Sequence, residues 1–165
     1  MEPEDIFKKR NFSKVDFEYE ELIGRNFSNT NLKNVDLKNR DIHNANFSGA
    51  DLTGSNLSDT ILFNVKLRGA NLQNVNLSNA KLWDTDMYGV DLTNANISGA
   101  DLFYADLRNA DLVNTNLSNV NLRHTNFDGA TFTSIDFTNA NYDVKTLDTI
   151  SKDIRSILKM QGNLW

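Results

Sequence analysis

The residues best suited to chemistry in this chain are its two histidines, His43 and His124, and a series of regularly spaced aspartates. An imidazole beside a carboxylate is where general acid–base catalysis or metal binding would start, so spacing decides what these groups can do. Aspartates stand twenty residues apart at Asp86 and Asp106, and again at Asp91 and Asp111. Carboxylates stacked in this way could bind a cation or share a proton. There is no cysteine, which removes thiolate nucleophiles, thiolate metal sites and a disulfide framework, and fits a reducing compartment. A third group is aromatic. Phe63, Trp83 and Phe103 recur at the same spacing of twenty, with Tyr104, Arg123 and His124 beside them. Trp, Tyr and Arg are the side chains that most often anchor protein interfaces.

What must position these residues is a strict period of five. From Phe12 to Tyr142 every fifth residue is large and apolar, through Phe17, Leu22 and Phe27 to Phe127, Phe132 and Phe137, without an insertion. Call this residue the centre. The residue two before it is mostly Ala, Val, Thr or Ser, and the one between is mostly Asp or Asn. That in–out–in alternation describes a short strand with one buried face. Two residues after the centres come Gly24, Gly49, Gly54, Gly69, Gly89, Gly99 and Gly129, and otherwise mostly Asn. Gly and Asn tolerate φ > 0, so this position is predicted to turn a left-handed corner. A second period, of twenty, closes four pentads into a coil: Asn56, Asn76, Asn96 and Asn116 recur at it, as do Ser58, Ser78, Ser98 and Ser118. Coils stacked about 4.8 Å apart make a rod roughly 32 Å long. The expected fold is an all-β solenoid of about 6–7 coils in which like residues form ladders.

This scaffold dictates what the candidate residues can do. His43 and His124 fall on one side about four coils, or ~19 Å, apart, too far to act on one substrate atom or one metal ion. The stacked aspartates follow the repeat's own habit and read as a solvated ladder. No catalytic residue, cofactor site or metal site is expected, and the chain is read as a non-enzyme. Phe63, Trp83, Phe103, Tyr104, Arg123 and His124 are predicted to form an outward strip, a candidate partner-binding face. The competing reading is a stack that only stabilises neighbouring coils.

The chain divides into an N-terminal cap segment (1–10), the β-helix (11–144) and a C-terminal helix and tail (145–165). Pro3 is placed to start a helical turn over Ile6 and Phe7. Leu147, Ile150, Ile154, Ile157 and Leu158 recur at helical spacing, predicting one helix from about Thr146 to Met160 with Gly162 as its stop. That helix is expected to cap the last coil or, with Leu164 and Trp165, to form a homodimer contact; otherwise the chain is a monomer. Glu20, Arg25 and Arg40 put charges in inward slots, so Glu20 and Arg40 either pair or sit in a looser, hydrated first coil. The acidic start Met1-Glu2-Pro3-Glu4-Asp5 has no apolar leader, and no apolar run is long enough to span a membrane, so a cytoplasmic protein is expected. A net charge of −5 argues against direct nucleic-acid binding.

Ala50-Asp51-Leu52-Thr53-Gly54 and Ala70-Asn71-Leu72-Gln73-Asn74 fit the motif A(D/N)LXX. With them the chain closely resembles pentapeptide-repeat proteins over about 130 of its 165 residues. The resemblance implies a right-handed quadrilateral β-helix, its handedness resting on the resemblance alone. It also implies a noncatalytic protein-interaction or regulatory module with a protein partner of unknown identity. Some members, of the Qnr type, resemble duplex DNA and bind DNA gyrase, which is the alternative role. Duplex DNA would carry about 19 charges over such a rod, whereas the outward positions here net −8. The array also lacks the loop insertions that many Qnr-type proteins use, so it makes a poor mimic.

Overall fold

The computed structural model describes the backbone of residues 21–164 and the side chains of residues 21–162. The corners set the rest. At every position two after a centre, from Gly24 to Asn139, φ lies between 52° and 73°. The carbonyl of the centre accepts a hydrogen bond from the N–H three residues on, as at Leu77 and Ala80 (3.1 Å) or Leu102 and Ala105 (2.9 Å). A turn whose third residue has positive φ is what Gly and Asn supply.

Between corners each short side pairs in parallel with the side twenty residues later. One ladder runs Asn31, Asp51, Asn71, Asp91 and Asp111; another runs Asp41, Ile61, Lys81, Asp101 and Asn121. A constant register of twenty means four pentads per coil, as the second period of the sequence requires. Two rungs lengthen into strands β1 (Asp111–Val113) and β2 (Thr131–Thr133), paired in parallel in that register.

The core is the column of centres. From Leu22 to Phe127 every centre is shielded from water, and Phe132 alone is only half-buried. Burying each such side chain contributes roughly 1.5–3 kcal/mol. Phe27 and Phe47 stack within it at 4.9 Å. Buried hydroxyls two before the centres are satisfied by backbone carbonyls: Ser55 Oγ donates to Leu32 O (2.8 Å), Thr115 Oγ1 to Leu92 O (3.0 Å) and Thr125 Oγ1 to Leu102 O (2.8 Å). Outside, the Asp or Asn before most centres accepts the N–H of the residue after the centre, as Asn56 does from Ser58 (3.2 Å) and Asp91 from Thr93 (3.0 Å). That N–H has no bond to a neighbouring coil, so the recurring acids and amides are structural acceptors.

After β3 (Asn141–Tyr142) the chain departs from the repeat. Helix α1 (Val144–Asp148) starts at Asp143, whose carboxylate accepts the Thr146 N–H at 2.9 Å. Helix α2 (Lys152–Gln161) follows, and β4 (Asn163–Leu164) then pairs in parallel with β3. The single helix predicted from spacing is thus two. Thr149 breaks it: its hydroxyl donates to Thr146 O (2.8 Å) and accepts the Phe127 N–H (3.0 Å), an amide with no further coil to bond. Leu147, Ile150 and Leu158 join the core, while Ile157 and Met160 face outward. Gly162 is extended and needed for another reason than a left-handed stop. A Cβ there would lie 2.8 Å from both Ala140 O and Tyr142 Cε1. Arg25 and Arg40 are half-buried. The expectations for the segment 1–10 and for Glu20 lie outside the described residues.

Candidate interaction face

One of the four sides is built on Leu22, Ile42, Leu62, Leu82, Leu102, Leu122 and Tyr142, and it departs from the repeat in several ways at once. The exposed large hydrophobic residues of the described chain are Ile23, Ile61, Trp83 and Tyr104 on this side, Val144 at the start of α1, and Ile157 and Met160 on α2. Trp83 is 42% exposed and Tyr104 54%. Ile61 and Lys81 stand where the repeat puts Asp or Asn, so Phe63 and Trp83 lack the usual acceptor for their N–H.

The rings gather into two groups, where a spacing of twenty suggests a single stack. His43 stacks on Phe63 (4.6 Å, 7°), and Phe63 on Trp83 (4.8 Å, 13°). Above them Tyr104 stacks on His124 (4.6 Å, 19°), and Phe103 meets Tyr104 edge-on (4.5 Å, 80°) and His124 at 5.3 Å. The Arg123 guanidinium lies 5.9 Å from the Phe103 ring centre. Among the described residues no ring contact joins Trp83 to Phe103, because Phe103 engages the corner rings Tyr104 and His124. The structure therefore brings Phe103, Tyr104, Arg123 and His124 together and sets Phe63 and Trp83 with His43.

Tyr104 and His124 both have φ of 60° in corner positions that elsewhere belong to Asn, Asp, Gly or, once, Ser134. Left-handed backbone costs a residue with a Cβ roughly 1–2 kcal/mol. Elsewhere corner amides form ladders: Asn64 Nδ2 donates to Asn44 Oδ1 (2.6 Å), Asn79 to Asp59 (3.1 Å) and Asn114 to Asn94 (3.0 Å). Asp84 stands one coil before Tyr104, so the next corner offers it a ring instead of an amide. Its exposed carboxylate has no hydrogen bond or ion pair among the described residues. Sequence reasoning placed Ile23 in this outward column but missed Asp84, Ile61 and Val144; a corner acid followed twenty residues later by Tyr was the signal.

The histidines are engaged separately. His43 Nδ1 is 2.7 Å from Asp41 Oδ1. His124 Nδ1 is buried and lies 3.1 Å from Asp143 Oδ2, out of line for a hydrogen bond. Burial pushes the Asp143 carboxyl up, but the N–H groups of Thr146 and His124, the Thr146 hydroxyl and the nearby His124 ring outweigh it and hold the group below 3.8. Among the described residues no three His, Asp or Glu side chains gather as metal ligands. On the adjoining side, Tyr88 lies between two guanidinium groups, Arg68 at 4.5 Å and Arg108 at 5.7 Å. Each of these arginines also contacts an aspartate, Asp86 at 3.3 Å and Asp106 at 2.7 Å.

The family described as pentapeptide repeats matches the chain in eight copies, over residues 11–54, 30–69, 41–78, 70–103 and 105–141. Thirty-six chains of solved structure are similar to it. Among them is Rfr23, a pentapeptide repeat protein from the cyanobacterium Cyanothece 51142, 30% identical, with 73% of this chain and 94% of that chain covered and a TM-score of 0.49. A pentapeptide repeat protein from the Arabidopsis thaliana thylakoid lumen is 28% identical, with 76% and 78% covered and a TM-score of 0.40. Trypsin-treated QnrB1, a plasmid-mediated fluoroquinolone resistance protein, is 13% identical, with 88% and 91% covered and a TM-score of 0.40. No curated protein sequence matches significantly. Among the described residues no helix is long and apolar enough to cross a membrane.

Proposed function

We propose that this chain, which belongs to the pentapeptide-repeat family, is a noncatalytic module that binds a protein partner through the face carrying Trp83 and Tyr104. One observation carries the reading. Before α1, every exposed large hydrophobic side chain of the described residues stands on a single side of the rod. Apolar surface gathered on one face of an otherwise polar molecule marks a partner site. Ile61 and Lys81 give up a local acceptor and Tyr104 and His124 take an unfavourable φ on this same side, as expected where local rules yield to function. Trp83 and Tyr104 are the anchors, and Phe63, Phe103, Arg123 and His124 support them. The two histidines stand on separate rungs about four coils apart and do not act together, which favours binding over catalysis.

The DNA-mimic alternative is less well supported by the surface. Its recurrent aspartates accept the coil's own N–H groups, and Asp51, Asp86 and Asp106 face Lys33, Arg68 and Arg108. That pattern is not an unbroken polyanion. The test uses the full chain as bait, with Trp83→Ala and Tyr104→Asn as variants and Ser98→Ala on another side as control. Wild type and control should capture the same partner and the two variants should lose it. Retention of every partner by both variants would sink the reading. Protection of gyrase in a quinolone supercoiling assay, unchanged by Trp83→Ala, would favour the mimic.

A further inference from the structure

Resting on that reading of the face, we propose that the partner presents an arginine side chain, seated between Trp83 and Tyr104 against the carboxylate of Asp84. The argument begins with the corner ladder. The other corner aspartate, Asp59, receives the Asn79 amide from the next coil at 3.1 Å. Among the described residues the Asp84 carboxylate receives no hydrogen bond, because its next-coil neighbour is Tyr104. An exposed carboxylate without a donor, flanked by two exposed rings, calls for a cation that also stacks.

The ring faces are arranged for it. Trp83 stacks through one face on Phe63, one coil below, which leaves its other face turned toward the coil of Tyr104. Tyr104 stacks through one face on His124, one coil above, which turns its other face toward the coil of Trp83. Asp84 adjoins Trp83 in sequence and stands one coil below Tyr104 in the corner column. Phe103 is already served by Arg123.

The molecule contains a related cluster in which the guanidinium is present. Tyr88 carries Arg68 and Arg108, and each guanidinium contacts an aspartate of its neighbourhood. At Trp83 and Tyr104 the rings and the acid are present, and among the described residues no guanidinium lies over either ring. A flat guanidinium stacks on a ring while forking onto a carboxylate, which a lysine ammonium does less well.

The test titrates the full chain with acetyl-Gly-Arg-Gly-amide and, in parallel, with the same peptide carrying citrulline, its neutral isostere. A Trp165→Phe background leaves Trp83 as the reporting indole, since the chain has 2 tryptophans. The arginine peptide should shift Trp83 emission saturably, and the citrulline peptide should not. Asp84→Asn keeps a corner-compatible residue and should weaken the arginine response about fivefold, the scale of an exposed ion pair. An equal response to citrulline, or an unchanged one in Asp84→Asn, overturns the proposal. Partner capture separates the two readings. If Trp83→Ala loses the partner and Asp84→Asn retains it at full affinity, the arginine proposal falls and the interaction face stands. If Trp83→Ala also retains it, the face itself is refuted.

Discussion

Replacing Tyr104 by Asn separates the two roles that an exposed aromatic rung can have, holding coils together or holding a partner. The substitution removes the stack on His124 at 4.6 Å and the edge contact with Phe103 at 4.5 Å. A well-formed aromatic pair contributes about 0.5–1.5 kcal/mol. With the ring 54% exposed, two such contacts together lie near the lower end, about 1–2 kcal/mol. Two gains oppose this. Asn accepts the left-handed φ of 60° that costs Tyr about 1 kcal/mol. Its amide can also donate to Asp84 as Asn79 does to Asp59 at 3.1 Å, a bond of about 0.5–1 kcal/mol at an exposed site. The terms nearly cancel. Stability should stay within about 1 kcal/mol of wild type, a change in Tm of no more than ~2–4 °C for a chain of this size. The same substitution should abolish the response to the arginine peptide, because the new amide occupies Asp84. Denaturant unfolding and peptide titration on one preparation check both halves. A loss above ~2 kcal/mol at unchanged m would refute the reasoning and make the ring a structural element.

Three further outcomes follow from the scaffold. Leu92→Ala, at a fully buried centre, should cost about 3–5 kcal/mol in denaturant unfolding. Gly49→Ala should destabilise more than Gly69→Ala: both take a positive φ, but a Cβ at Gly49 meets Asn29 Oδ1 whereas Gly69 faces open space. Paired melting curves would show a gap of about 1 kcal/mol or more, and equal shifts would contradict it. The Asp143 carboxyl is held below its ordinary 3.8 in the folded chain. A depressed carboxyl contributes stability that is present above 3.8 and is lost as pH falls through the lower folded value. Tm should therefore drop on acidification in wild type, and the drop should be shallower in Asp143→Asn.

The coil was legible because each pentad is locally complete. The left-handed corner, the buried centre and the acceptor one residue before it are demands that a single residue type meets at a single position. Gly, Leu and Asp or Asn therefore announce them without reference to the rest of the chain. The face was only half legible. Its column of rings could be read from the spacing of twenty, but how rings turn within a column depends on neighbours in three dimensions. Phe103 turns to Tyr104, His124 and Arg123, and Trp83 keeps to Phe63. Asp84 was overlooked because an aspartate suits a corner; only the ring in the next coil leaves it without a donor. The split between α1 and α2 was hidden for the same kind of reason, since Thr149 stops the helix by bonding a coil amide 22 residues away.

The register of twenty also gives the molecule a phase. A side is not a stretch of sequence but a position in a four-step cycle, so length changes act on it as rotations. Deleting one pentad between Trp83 and Phe103 would leave every corner and every centre intact. It would still carry Phe103, Tyr104, Arg123 and His124 a quarter-turn onto the adjoining side, away from Trp83. Deleting a whole coil would shorten the rod and keep the sides aligned. In a lineage that gains and loses pentads freely, an interaction face of this kind persists only when the changes come in fours.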